Sequence, residues 1–480
     1  MAKLKNIIKQ LTNEDYQAIH TSLQESSADK SSYLLKSLRE RQLSDNKIMD
    51  ELGVNTNAYY TLRSRLNQKI EEYLLQQMES PRTDILKKVA NINEIIFTKK
   101  KAIAIATLKK LEKELLDYDL SNELTIVYKS LKKLHINAPD YFNYSQSYNK
   151  HVAYMLALDK AEDLLAQYLQ KYGNYTLTGS EIEKMGLTVL AEEMDNVCRL
   201  YQSHRLYVYK SCMMVFHKLF VLKDEEAGVD EEPVEDALDK VEQIFESYNL
   251  DPIYYHLHLA FEFLKLEYYN HYKVYRKAEK YFEEVNDATS SLLSNYSLFI
   301  YPARFLISKI ERSLRLGTEG ELYAESEGLF LGYEPDKDDV PKYITYVIYR
   351  ALCCYYAEKY DESARWINNL LNEMSLKKFP ELLLEIKMIL ALQYCMMHDF
   401  DLFSQLINSV QRQLRLIGKV GFNHIIILTK ILRTSMNEGK KNKEAKIKSL
   451  IGRIGKINVP YFVPTSLIKM DEALVSALSR

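Results

Sequence analysis

Between residues 55 and 69 the chain sets out Asn55, Asn57, Thr61, Arg63, Arg65 and Lys69. Amide and hydroxyl side chains can hydrogen-bond to base edges, and guanidinium and ammonium groups can neutralise phosphates. The chemistry open to this set is the reading of a nucleic-acid duplex. The charge around it gives weak support, because residues 44–80 carry four basic and six acidic side chains. Positions 54–70 nevertheless hold three bases and no acid, so one helix face could be positive.

Other chemistry is harder to find. Of the 10 His, none stands three or four residues from another, and the two rings of "HLH" (256–258) point to different sides of a helix. The chain contains no HExxH, GxSxG, GxGxxG or GxxxxGK[ST]. "GRIG" (452–455) has the form of a clamp loop for single-stranded RNA but no flanking strands, and reads as a connection between helices. Carboxylates abound without a spacing that pairs an acid with a base. The expectation is a protein that is no enzyme, with no cofactor, no metal and no small-molecule substrate.

The elements that must position the candidate residues are helices. Gly and Pro number only 14 and 10 among 480 residues, and few breakers over such a length mean long helices joined by short turns. Runs with strand character are almost absent, and the nearest, "NHIIILTKIL" (423–432), also fits a buried helix. The fold class is all-α. With 37 Tyr against 16 Phe and one Trp, many rings are expected to lie half-buried with a hydroxyl at a wet edge.

The net charge of −2 is unevenly spread. Residues 1–110 and 430–456 are basic, and the stretch between them is acidic. "DEEAGVDEEPVED" (224–236) packs eight carboxylates into thirteen residues and reads as a solvated linker, with a helix opening near Pro233. "GKKNKEAKIKSLIGRIGK" (439–456) could meet an acidic partner, though a solvated helix face gives the same pattern. Cys198, Cys212, Cys353, Cys354 and Cys395 sit in apolar helical segments at no ligand spacing, and read as buried thiols of a reducing compartment. The N-terminus lacks an apolar core of the signal-peptide kind, and no apolar run is long enough to cross a membrane. A cytoplasmic location is expected.

Helical periodicity places Ile85, Val89, Ile92 and Ile96 on one face of a helix over 84–97, and Leu108, Leu111 and Leu115 on another over 103–115. Breaks are predicted at 136–140, 172–180, 248–252, 315–321 and 333–341. The clearest internal similarity aligns "YRALCCYYAEKYDESARWINNLL" (349–371) with "LALQYCMMHDFDLFSQLINSV" (390–410) at an offset of 40 residues. Ala351 pairs with Ala391, Tyr360 with Phe400, Asp361 with Asp401 and Ile367 with Ile407. A small residue lets two helices approach, an aromatic fills the turn, and the resulting hairpin needs neighbours to cover its apolar face.

This pattern resembles the tetratricopeptide repeat. "KYDESA" and "HDFDLF" look like that family's turn between its two helices, and Ala351, Cys354 and Ser363 fall at its packing positions. Arg350 and Phe403 depart from it, as does the period of 40. A weaker match is "YRKAEKYFEEV" (275–285), with Tyr275, Ala278, Phe282 and Val285 at second-helix positions. The resemblance spans about 250–440 and is only architectural from 81. It implies a curved stack of antiparallel helix hairpins, an α-solenoid, whose concave face binds a protein or peptide.

Ahead of the array, "SDNKIMDELGVNTNAYYTLRSRLNQKIEEYL" reads as helix, break, helix. Ser44 or Asp45 caps the first helix, Gly53 ends it in a left-handed conformation, and Asn55 or Thr56 caps the second. Tyr59, Leu62, Leu66, Ile70 and Tyr73 form its apolar stripe. The unit resembles the helix-turn-helix of sigma-factor and response-regulator DNA-binding domains. That resemblance assigns Gly53 to the turn, Val54 to the corner, and Asn55, Asn57, Ala58 and Thr61 to the base-facing start of the second helix. It makes Arg63, Arg65 and Lys69 phosphate contacts. Met49 and the bulky Tyr59 depart from the pattern.

The expected organisation is an N-terminal helical domain over 1–80, a repeat array over 81–456 and a capping helix over 457–480, beginning near Thr465. The favoured function is a protein-interaction scaffold, with the N-terminal unit as a cap. The alternative is a transcription-associated regulator that binds DNA through that unit.

Overall fold

The computed structural model describes residues 4, 8, 11, 13–26, 28–39, 45–77, 81–222, 232–248, 254–287, 303–330, 335–418, 421–437, 442–455, 457, 459 and 461–479. Among them the fold holds twenty-three α-helices, packed in neighbouring pairs, and no strand. The chain forms two compact units, Met1–Tyr118 with Ile126–Tyr141 and Leu250–Pro252, and Asp119–Thr125 with Phe142–Asn249 and Ile253–Arg480.

The first helices are α1 (Asn13–Glu25), α2 (Asp29–Arg39), α3 (Asp45–Leu52), α4 (Thr56–Gln77), α5 (Pro81–Ala90), α6 (Ile92–Thr98), α7 (Lys101–Asp117) and α8 (Ser121–Leu134). Tyr16, Ile19, Leu34, Leu35, Ile48, Tyr59, Leu66 and Ile70 make a core among α1 to α4. The single helix expected over 84–97 is two helices, with the chain stepping at Asn91, a residue type of low preference for helix interiors. Ile85, Val89 and Ile92 are buried as expected, as are Leu108, Leu111 and Leu115.

The helices that follow are α9 (Asp140–Thr178), α10 (Glu181–Leu200), α11 (His204–Phe220), α12 (Val234–Ser247), α13 (Tyr255–His271), α14 (Tyr275–Asp287), α15 (Ala303–Leu316) and α16 (Leu322–Leu329). After them come α17 (Val340–Tyr356), α18 (Tyr360–Glu373), α19 (Pro380–Met396), α20 (Phe400–Ile417), α21 (Asn423–Ser435), α22 (Lys443–Ile451) and α23 (Glu472–Ser479). The break expected within 172–180 falls at its end, where Gly179 takes φ 60°, so Tyr172 to Thr178 stay helical. A helix does open after Pro233. Of the acidic linker, residues 224–231 lie outside the described residues. Glu232 is anchored rather than free, accepting from Tyr207 Oη at 3.1 Å and Lys240 Nζ at 2.5 Å.

Three hairpins, α13/α14, α17/α18 and α19/α20, share one turn. In each, the second residue past the first helix is left-handed: Lys273, Glu358 and His398, at φ 58°, 58° and 57°. The next residue donates its N–H five positions back, Val274 to Tyr269 O at 2.8 Å, Lys359 to Cys354 O at 2.9 Å and Asp399 to Tyr394 O at 2.9 Å. That is the Schellman motif, which satisfies carbonyls a helix end would leave open. In the last two hairpins the first helices begin and end, and the second helices begin, at the 40-residue offset read from the sequence, while α20 runs four residues further than α18. Ala351 and Ala391 are buried at the close approaches, and Ser363 Oγ donates to Ala351 O at 2.7 Å. Arg350, at a position expected to be apolar, pairs with Glu327 and lies 4.9 Å from the ring centroid of Trp366.

The end of the chain differs from the expected long helix. Pro464–Leu467 is a single 3-10 turn, and α23 begins only at Glu472, where Asp471 Oδ1 accepts from Leu474 N at 3.0 Å. The hydroxyl of Tyr356 donates to Leu467 O at 2.6 Å and accepts from Lys469 N at 3.1 Å, which holds the intervening backbone out of a helix. Leu474, Val475 and Leu478 are buried.

Candidate binding groove and the N-terminal helix pair

The N-terminal candidates separate into two faces of α4. Gly53 ends α3 at φ 60°, and Val54 N donates to Met49 O at 3.1 Å, the same Schellman turn as in the hairpins. Asn55 is the cap of α4, its Oδ1 accepting from Ala58 N at 2.9 Å, so its carbonyl is spent on the helix and not on a ligand. Thr61, Arg65 and Lys69 follow at intervals of four and are exposed along one stripe. The backbone of Asn57 continues that stripe, and its side chain lies outside the described residues. Arg63 does not join them. Two residues off the stripe it turns inward, is 8% exposed, and stacks on Tyr59 at 5.7 Å within the apolar core. That burial counts against the expected phosphate contact at Arg63, because a guanidinium held in the core is poorly placed to reach a backbone phosphate.

A second arrangement lies on α12, α13 and α14, and the sequence reading did not find it. Each helix contributes residues at helical spacing to one groove of about 530 Å³. Glu235, Asp239 and Glu242 come from α12, His258, Glu262, Lys265 and Tyr269 from α13, and Lys277, Lys280, Tyr281 and Glu284 from α14. One wall is acidic and the opposite wall carries the two exposed lysines.

The floor is a buried network. Glu262 is 4% exposed and Lys265 8%, and Lys265 Nζ donates to Glu262 at 3.0 Å and also to Glu242. Tyr269 and Tyr281 stack face to face at 5.7 Å, with Lys277 5.0 Å from the first ring and Lys280 5.5 Å from the second. Burial lowers the affinity of Lys265 for its proton, but the carboxylates of Glu242 and Glu262 outweigh it and hold the ammonium above its ordinary range. Glu262 is pushed up by burial, against the pull of Lys265, and the neighbouring Glu284 adds to the rise. The floor is thus preorganised, while the charged rims remain available.

The missed signal lay in α13. Every residue from Ala260 to Lys265 is buried, so Glu262 and Lys265 stand in a helix that is apolar on nearly all sides. Charged residues in such a helix must be paired, and partners on both flanking helices follow.

Among the described residues, no three His, Cys, Asp or Glu are grouped to hold a metal, and no helix is long and apolar enough to cross a membrane. The five thiols are unpaired, and burial pushes Cys212, Cys353 and Cys354 up to about 12. No family model, curated protein or solved structure matches this chain.

Proposed function

We propose that this chain is a non-enzymatic interaction scaffold built on a tetratricopeptide-like helical array, and that the α12–α14 groove receives a segment of another protein. The observation that carries this reading is the convergence of three consecutive helices on one charged, preorganised groove. Its two walls differ in sign, so the fitting partner is a segment with a basic residue facing α12 and an acidic one facing α14. The repeated hairpin turn and the buried alanines at 351 and 391 support the array reading. Capture from native lysate tests it. The full chain should retain a discrete partner, and Lys277→Glu/Lys280→Glu and Glu235→Lys/Asp239→Lys should each release it. A bound set unchanged in both variants would overturn the groove as the site.

A second reading, DNA binding through α3 and α4, is favoured by the exposed stripe of Thr61, Arg65 and Lys69. It stands behind the first, because Arg63 and Asn55 are committed to the fold. Salt-dependent binding of duplex DNA, lost in Arg65→Glu/Lys69→Glu, would promote it.

A further inference from the structure

The strongest feature outside the groove is a half-open cavity of about 360 Å³ where α21 meets the chain on either side of the 3-10 turn. Its walls are mostly aliphatic, supplied by Leu428, Ile454, Ile468 and Met470, with His424, Thr465 and Ser466 as polar members, the Ser466 hydroxyl donating to Val463 O at 2.6 Å. Beneath it Glu385 is fully buried, at 0% exposure. Glu385 Oε1 takes His424 Nε2 at 2.5 Å, and Oε2 accepts from Thr465 Oγ.

The tautomer follows from these partners. A carboxylate that accepts from Thr465 on one oxygen accepts the imidazole N–H on the other, so Nε2 carries a proton and, in the neutral ring, Nδ1 does not. Nδ1 is left as a bare acceptor. His424 is 8% exposed and lines the cavity, and Nδ1 has no partner among the described residues. It belongs to the lining of a largely aliphatic space of ligand size, which is the pattern of a pocket where a few polar groups orient an apolar guest.

We infer that this cavity binds an aliphatic molecule ending in a single O–H group, an alcohol or a carboxylic acid, with the chain among Leu428, Ile454, Ile468 and Met470 and the head on His424 Nδ1. An acid makes the same contact with the shared proton on either side. Scaling from apolar cavities of about 150 Å³ that hold benzene, the guest has roughly ten to fourteen heavy atoms. This site is a binding site only, and is independent of the charged groove.

The test is titration calorimetry of the full chain with 1-octanol, octanoic acid and methyl octanoate. Saturable binding of the alcohol and the acid is expected, with the ester about tenfold weaker because it has no proton to give Nδ1. Met470→Trp, at the half-buried rim, should abolish all three by filling the space, and His424→Gln should weaken the first two toward the ester's level. If His424→Gln fails to fold, the ester comparison and Met470→Trp still decide. No saturable binding of either O–H compound, an ester that binds as well as the acid, or binding that survives Met470→Trp would each overturn the inference.

Discussion

The guanidinium of Arg63 lies 5.7 Å from the ring centroid of Tyr59, one helical turn earlier on α4, and both side chains are buried. A cation accommodated in this way supports the fold of the N-terminal unit. Arg63→Glu places a carboxylate in that core and should cost on the order of 2–4 kcal/mol. Arg65→Glu, on the exposed stripe, should change stability by less than about 0.5 kcal/mol. Amide hydrogen exchange across α4 separates the two, and equal protection in both variants would refute the burial.

The left-handed turns carry strain that glycine would relieve. Glu358→Gly and His398→Gly should each stabilise by about 0.5–1 kcal/mol, since a residue with a Cβ is disfavoured at φ near 58° and 57°. Gly53→Ala should act in the opposite sense. A Cβ there meets nothing within 4 Å, so the cost is purely conformational, about 1 kcal/mol. Thermal melting of the three variants provides the check, and a lowered melting temperature in both glycine variants would contradict the turn assignment.

Much of this architecture was legible in the sequence because its causes are local. A glycine ahead of Val54 marks a left-handed cap, and small residues 40 positions apart at Ala351 and Ala391 mark equivalent helix crossings. The place of Arg63 was legible too, four residues after Tyr59 and three before Leu66 on the buried face, but its charge beside Arg65 made it look solvated. The groove was invisible because Glu242, Lys265 and Glu284 are brought together by three helices. The late start of α23 depends on a hydroxyl more than a hundred residues away, at Tyr356.

The thiols should be inert in the folded protein. Burial pushes Cys198 and Cys395 up to about 11 and the other three to about 12. Ellman's reagent at pH 8 should therefore find no fast-reacting thiol until denaturant is added, and then five. A rapid stoichiometric reaction in native buffer would be inconsistent with this packing.

Glu262 gives the groove a pH dependence. Its carboxyl titrates above the ordinary 4.5 in the fold, chiefly through burial. A raised folded value means the folded state holds the proton more tightly. The resulting stability is complete below pH 4.5 and is lost as pH rises through the folded value. Glu262→Gln removes that loss, so its melting temperature relative to the parent should climb between acid and neutral pH. Parallel melting curves for the two proteins would show that Glu262 titrates normally.

The central claim, that the α12–α14 groove is where another protein binds, is tested most directly by a photo-crosslinking side chain at Lys280, on the exposed wall, compared with one at Leu416, which is 87% exposed on α20. In cells, position 280 should give a discrete protein adduct that disappears when Glu235→Lys/Asp239→Lys is introduced, and position 416 should not give that adduct. No protein adduct at 280, or the same adduct from both positions, would contradict the account.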